Sequence, residues 1–287
     1  MGASGLSVNC EAQVLGSLDR LPPFSPILNR LMASLASEDV SFGELAALIE
    51  KDTVVAGNVL RLVNSALYGF CGTVSSVRHA VAILGLTKLR NTVMGMSISR
   101  VWRAVRTPER WSSARFNVHS VATAILADLL AQRLSAPYPE GAFVAGLLHD
   151  LGKLLIAIAL PRESALIQAL FEAGGAGIED CEAQIIGVTH SALSGAALRK
   201  WNLPQPIQTA ATFHHAPEQA NQAQLDLSHV IQAADQLAID LGHSVSPPEH
   251  QPQGRSEPLL AALGLTDQVP EVLAQFGPEF DALRGFF

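Results

Sequence analysis

One stretch constrains this chain more than any other. Residues 141–160 read GAFVAGLLHDLGKLLIAIAL, an apolar run without proline until its end, with His149, Asp150 and Lys153 at its centre. A segment apolar on every side belongs in a core, so the run predicts a buried helix over 141–159 that stops at Pro161. An ionised carboxylate in such a core costs about 3–5 kcal/mol if its partner is missing. Asp150 therefore needs compensation, by a cationic side chain or by a metal ion, and which of the two it is decides the function. The run approaches the length of a membrane span, but the polar residues at its middle favour a core helix.

The remaining residues can build that core. The chain has 287 residues, 48% apolar and 16% charged, enough for one large domain or two smaller ones and too apolar for a disordered protein. The formal charge is −7 with no long Lys/Arg run, which argues against a nucleic-acid surface. Cys10, Cys71 and Cys181 stand apart without metal-ligand spacing, as in a reduced cytoplasmic protein. The opening MGASGLSVNCEAQ has no basic segment leading into an apolar one, so it does not read as a secretory signal.

Val and Ile recur at helical spacing rather than alternating, and the expected fold is all-α. Helices are predicted over 11–19, 26–36 with Pro26 in the first turn, 42–50 with Ser41 and Glu44 as a capping box, 52–66, 75–85 and 87–104. TPERW at 107–111 breaks the pattern. A second half restarts with 112–133, a Pro137/Pro139 turn and the run at 141–159, then 162–173, 179–187, 189–201, 204–214 and 226–242. Residues 242–258 read as an exposed loop, and short helices near 258–263 and 267–275 finish the chain. The expected organisation is two packed helical subdomains, 1–110 and 111–245, followed by a loop and helical tail over 246–287.

Nine histidines are present, and several sit in apolar helices with no packing reason to be there. His119 lies in RFNVHSVATAILADLL, His149 and Asp150 in the central run, His190 in GVTHSALSGAAL, His214 and His215 at the end of IQTAATFHH, and Asp235 in HVIQAADQLA. Imidazole and carboxylate together suit iron, manganese or zinc, and an aspartate can bridge two ions. In a helical bundle such ligands come from separate helices pointing inward. Taken singly, each residue reads as a satisfied core group, and Lys153 could simply pair with Asp150. His79, His229, His243 and His250 are assigned to surface or structural roles.

The order His119, His149-Asp150-Leu151-Gly152-Lys153, Asp235 resembles the HD superfamily of metal-dependent phosphohydrolases. His190 and His214-His215 look like the added ligands of its HD-GYP branch, which cleaves cyclic di-GMP. The first half, LPPFSPILNRLMASLASEDVSFGELAALIEKDTVVAGNVLRLVNSALYGF followed by VSSVRHAVAILGLTKLRN, resembles the HDOD domain of bacterial signalling proteins, as does WNLPQPIQTAATFHH. The likeness spans roughly residues 11–245.

The resemblance implies a signal-transduction module whose second subdomain is an HD-type bundle, with His119, His149, Asp150, His190, His214, His215 and Asp235 as ligands of one or two divalent ions. Lys153 and Asp150 are the residues it would place in catalysis. Its implied partners are signalling proteins, sensor kinases, receivers or cyclic-dinucleotide enzymes, with no nucleic acid and no membrane. Two departures matter. APEQANQ follows His215 where the HD-GYP branch carries Gly-Tyr-Pro, and Arg115 stands four residues before His119 where that branch often places a glutamate ligand. A guanidinium cannot ligate a metal, so a third ion is not expected, and Arg115 is left to hold a phosphate or to serve as counter-charge to Asp150. Many HDOD domains have lost the HD ligands, whereas this chain keeps them. An active phosphohydrolase or phosphodiesterase on a nucleotide or cyclic dinucleotide is the alternative reading, and a metal-free polar network is the bland one.

Overall fold

Helical periodicity along the chain becomes helices in space. In the computed structural model, residues 3–35, 42–65, 67–68, 73–134, 139–221, 224–246 and 254–286 are described, and among them there are helices and connections but no strand. The expected cap at Ser41, together with Ala66, Gly69, Cys71, Pro137 and His250, lies outside the described residues.

The chain divides into two compact units, one of residues 1–22 with 105–267, the other of 23–104 with 268–287. One boundary falls between residues 104 and 105, and each end of the chain joins the unit more distant from it in sequence.

The unit of 23–104 and 268–287 holds α2 (Pro26–Ser34), α3 (Phe42–Lys51), α4 (Thr53–Val63), α5 (Val77–Leu84), α6 (Leu86–Ala104) and α17 (Val269–Arg284). Side-chain caps fix several starts: Ser25 accepts from Leu28 N–H, Asp52 from Val54 and Val55, and Ser76 from His79. Helix α17 runs well past the expected end at 275, with Pro278 inside it. Val272, Phe276, Phe280 and Leu283 form one buried stripe through the proline, and burying that stripe outweighs the hydrogen bond that Pro278 removes.

The larger unit carries α1 (Ala3–Gly16), α7 (Ser113–Ala131), α8 (Ala142–Leu148), α9 (Leu151–Ala159), α10 (Pro161–Glu172), α11 (Ile178–Ile186), α12 (His190–Lys200), α13 (Gln205–Phe213), α14 (Glu218–Asn221), α15 (Leu227–Asp240) and α16 (Ser256–Ala262). Helix α7 packs on α8 and α15, α12 on α13 and α9, and α13 on α15 and α8. Helix α1 begins earlier than the sequence pattern indicated and packs on α9, α11 and α12, with the Gln13 side chain donating to the Ala159 carbonyl at 3.1 Å.

The central run departs from expectation in one informative way. It forms two helices, α8 and α9, separated by a turn at His149 and Asp150. Asp150 leaves the helical region at φ −96°, ψ 11°, and Lys153 N–H returns to the Asp150 carbonyl at 2.9 Å. Adjacent residues on a regular helix do not share a face. The turn lets His149 and Asp150 serve the same site. Residues 142–159, the stretch among the described residues long and apolar enough to cross a membrane, are 89% buried inside the protein.

Candidate metal centre

Helices α7, α12 and α15, with the ends of α8 and α13, bring their polar residues to one point. His119 comes from the middle of α7, His149 and Asp150 from the turn after α8, His190 from the first position of α12, His214 and His215 from the end of α13, and Asp235 from α15. His149, His190 and His214 are fully buried and Asp150 is 1% exposed.

Asp150 stands at the middle of the cluster. Its Oδ2 lies 3.4 Å from His119 Nε2 and 3.5 Å from His149 Nε2, and its Oδ1 lies 3.2 Å from His190 Nε2 and 3.7 Å from His214 Nε2. Asp235 Oδ1 joins the first side, 3.1 Å from His119 Nε2 and 3.5 Å from His149 Nε2. His215 joins the second, its Nε2 3.0 Å from that of His190. Two ligand groups therefore share one carboxylate: His119, His149 and Asp150 on one side, and Asp150, His190, His214 and His215 on the other. All seven sequence candidates meet here.

The rings are held so that Nε2 points inward. His119 Nδ1 meets the His243 carbonyl at 2.7 Å, His149 Nδ1 the Gly146 carbonyl at 2.7 Å, and His214 Nδ1 the Ala211 carbonyl at 2.9 Å. Each contact suits an Nδ1–H donor and turns Nε2 toward the centre. His243, assigned a structural role from sequence, contributes through its backbone. Asp150 Oδ1, Asp235 Oδ1 and His214 Nε2 are buried without a hydrogen-bond partner. Buried polar atoms are normally satisfied, so three orphans within one cluster fit cationic occupancy. Nitrogen and carboxylate donors in this mixture fit a divalent ion such as iron, manganese or zinc.

The protein's own groups set the electrostatics. Burial alone would raise the Asp150 carboxyl, but its neighbours, the His149 ring first and the Lys153 ammonium next, hold it well below the usual range. Lys153 Nζ donates to Asp150 Oδ2 at 2.7 Å, and that carboxylate overcomes burial to raise the ammonium. Burial likewise pushes His119 down, and the carboxylates of Asp150 and Asp235 beside it reverse this to about 9. His190 also reaches about 9 against burial, chiefly through Glu182. Burial, then the neighbouring His190, pulls His215 down to about 3. Burial and the rings of His215, His149 and His190 keep His214 well below the usual imidazole range.

Arg115 does not provide the counter-charge to Asp150; Lys153 does. The guanidinium sits at the third position of α7, where side chains lean toward the helix start and away from His119. It is exposed and lines a cleft with Pro108, Trp111, Pro161, Ser164 and Gln168.

Two residues of the site escaped sequence reasoning. Glu182 of α11 is 2% exposed, and its Oε2 accepts from both the backbone N–H and the Nδ1 of His190, at 2.6 and 2.7 Å. A signal was present: Glu182 lies midway between Ile178 and Ile186, an acid on the apolar stripe of its helix. Gly152 is the second. Its backbone passes so close to α12 that a Cβ there would stand 2.0 Å from the His190 carbonyl oxygen. Ser194 ties the contact, its Oγ accepting from Gly152 N–H and donating to the His190 carbonyl, each at 2.8 Å.

Comparison with known proteins follows the same lines. A crystal structure of an HDOD domain protein from Geobacter sulfurreducens superposes with a TM-score of 0.80 at 23% identity, over 97% of this chain and 98% of that one. A protein from Shewanella amazonensis SB2B named as a candidate phosphohydrolase superposes with a TM-score of 0.73 at 25% identity, over 95% and 98% of the two chains. An uncharacterised protein of Treponema pallidum (strain Nichols) is 25% identical over 214 residues, which is 72% of this chain but 41% of that protein. The HDOD domain profile matches residues 21–217, well over half of the sequence. The chain belongs to the HDOD domain family.

Proposed function

We propose that this protein is a signal-transduction module that retains a two-ion metal centre of the HD type and acts through protein or ligand contacts. The observation that carries the reading is the sharing of Asp150, with one oxygen facing His119 and His149 and the other facing His190 and His214. His119, His149, Asp150 and Asp235 would hold one ion, and Asp150, His190, His214 and His215 the other. Closure of most of these groups to solvent favours a centre that stabilises or senses over one that admits a large substrate. Partners would be signalling proteins, as the family suggests.

A phosphohydrolase acting on a nucleotide or cyclic dinucleotide is the second reading. Lys153 and His215 are the partly exposed members of the centre, so they mark its open side. Lys153 there could donate to a phosphoryl oxygen, and the name of the Shewanella protein points the same way. Divalent ions would supply Lewis acidity and acidify a water.

Anaerobic purification followed by elemental analysis tests the shared claim, and a phosphodiesterase assay across nucleotides with iron or manganese separates the two readings. The first predicts bound metal without turnover, the second bound metal with turnover. Protein that stays metal-free with excess iron, manganese and zinc rules out both as stated.

A further inference from the structure

We infer that Glu182 is a positioning residue that makes the His190, His214 and His215 position the first to take up an ion, with the His119, His149 and Asp235 position filled second. The inference rests on the metal-centre reading above and goes beyond it in assigning an order and its cause.

The two positions are supported unequally. Three of the rings lean on neutral carbonyls, those of His243, Gly146 and Ala211. His190 is the ring held by a carboxylate, with Glu182 Oε2 2.7 Å from its Nδ1. A carboxylate partner fixes the tautomer, makes the opposite nitrogen a stronger donor to a cation and adds negative charge nearby.

The same oxygen accepts the His190 backbone N–H at 2.6 Å, an amide in the first turn of α12 that lacks an intrahelical partner. Gly187 ends α11 in the left-handed region at φ 74°, and Thr189 caps α12, so a tight corner returns His190 to Glu182. Ring and backbone are clamped together.

The other position starts with an opponent. Lys153 Nζ sits 2.7 Å from Asp150 Oδ2, the oxygen that faces His119 and His149, and its charge opposes an ion there. Asp150 Oδ1 faces ring nitrogens, His190 Nε2 at 3.2 Å and His214 Nε2 at 3.7 Å, and no lysine. A first ion therefore meets imidazoles alone, and a second must displace an ammonium.

The test is a titration of the chelator-stripped full chain with Mn(II), followed by electron paramagnetic resonance of the free ion and by calorimetry. The wild type should bind in two steps, the first at least roughly tenfold tighter. Glu182→Gln keeps the shape and both acceptor contacts but loses the charge, and should weaken the first step about ten- to a hundredfold, leaving the second little changed. Lys153→Met should tighten the second step alone. Should Glu182→Gln fold poorly, His119→Ala reads the same order: the first step survives and the second is lost. Two equal steps in the wild type, a first step lost in His119→Ala, or a Glu182→Gln that shifts both steps alike or neither would overturn the inference while leaving the metal centre standing. A wild type that takes up no ion overturns both.

Discussion

Replacing Gly152 with alanine should damage the protein at one defined contact. The added Cβ would meet the His190 carbonyl oxygen at 2.0 Å, its carbonyl carbon at 2.7 Å and its Cα at 2.8 Å. All three atoms are backbone, so no side chain can swing away, and α9 and α12 must separate by about 1 Å to restore ordinary contact. Overpacking of a dense core costs about 1–3 kcal/mol, and a clash with backbone belongs at the upper end. Loosening the Gly152 N–H to Ser194 Oγ bond, 2.8 Å in the native chain, adds about 1 kcal/mol, for a total of about 4 kcal/mol. Urea denaturation read by circular dichroism measures this loss. Gly57→Ala is the control: Gly57 lies in α4 with nothing within 4 Å of the added methyl, so it should gain about 0.5–1 kcal/mol. A Gly152→Ala protein within about 0.5 kcal/mol of wild type would refute the close approach of α9 to α12.

Asp150→Ala should abolish metal uptake at both positions, since the two ligand groups share that carboxylate. It should also cost about 3 kcal/mol, the lower end for a broken buried pair, because the stranded Lys153 side chain keeps 19% of its exposure; elemental analysis and denaturation check the two effects. Asp240 accepts from Gly254 N–H at 2.9 Å and Ser256 N–H at 3.0 Å, tying down the start of α16, so Asp240→Ala should lose about 0.5–2 kcal/mol at pH 7. Burial alone would raise this carboxyl, but its hydrogen bonds, that to Ser256 foremost, hold it below its ordinary value of 3.8. Its contribution is therefore complete above that value and fades as pH falls through the depressed one. The difference between wild type and variant should close in acid, and a constant gap down to pH about 2 would contradict it.

Much of this architecture was legible because helical spacing survives burial. The helix starts at Pro26, Ser76 and Ser112 carry their caps in the local sequence, and each forms where expected. The seven histidines and aspartates could be picked out because each polar group interrupts an apolar helix. What stayed hidden depends on tertiary context. The break between α8 and α9 falls at His149 and Asp150, where no glycine or proline announces a hinge. The extension of α17 through Pro278 follows from a buried stripe whose packing outweighs a local helix breaker. The family position of Arg115 does not reveal which way the side chain leans from its helix, whereas Lys153, three residues from Asp150, is a pair the sequence already offers. Glu182 escaped because its partner, His190, lies across a helix corner rather than on the same helix.

The central claim is that Asp150 is shared between two ion-binding groups, and anomalous diffraction from crystals grown with Mn(II) tests it most directly. Two peaks are expected about 4 Å apart. One should lie about 2.0–2.2 Å from His119, His149 and Asp235 and the other from His190, His214 and His215, with Asp150 touching both. Lys153 should then have left Asp150 Oδ2. A crystal in which no peak comes within ligand distance of Asp150, with Lys153 still paired to it, would contradict the account.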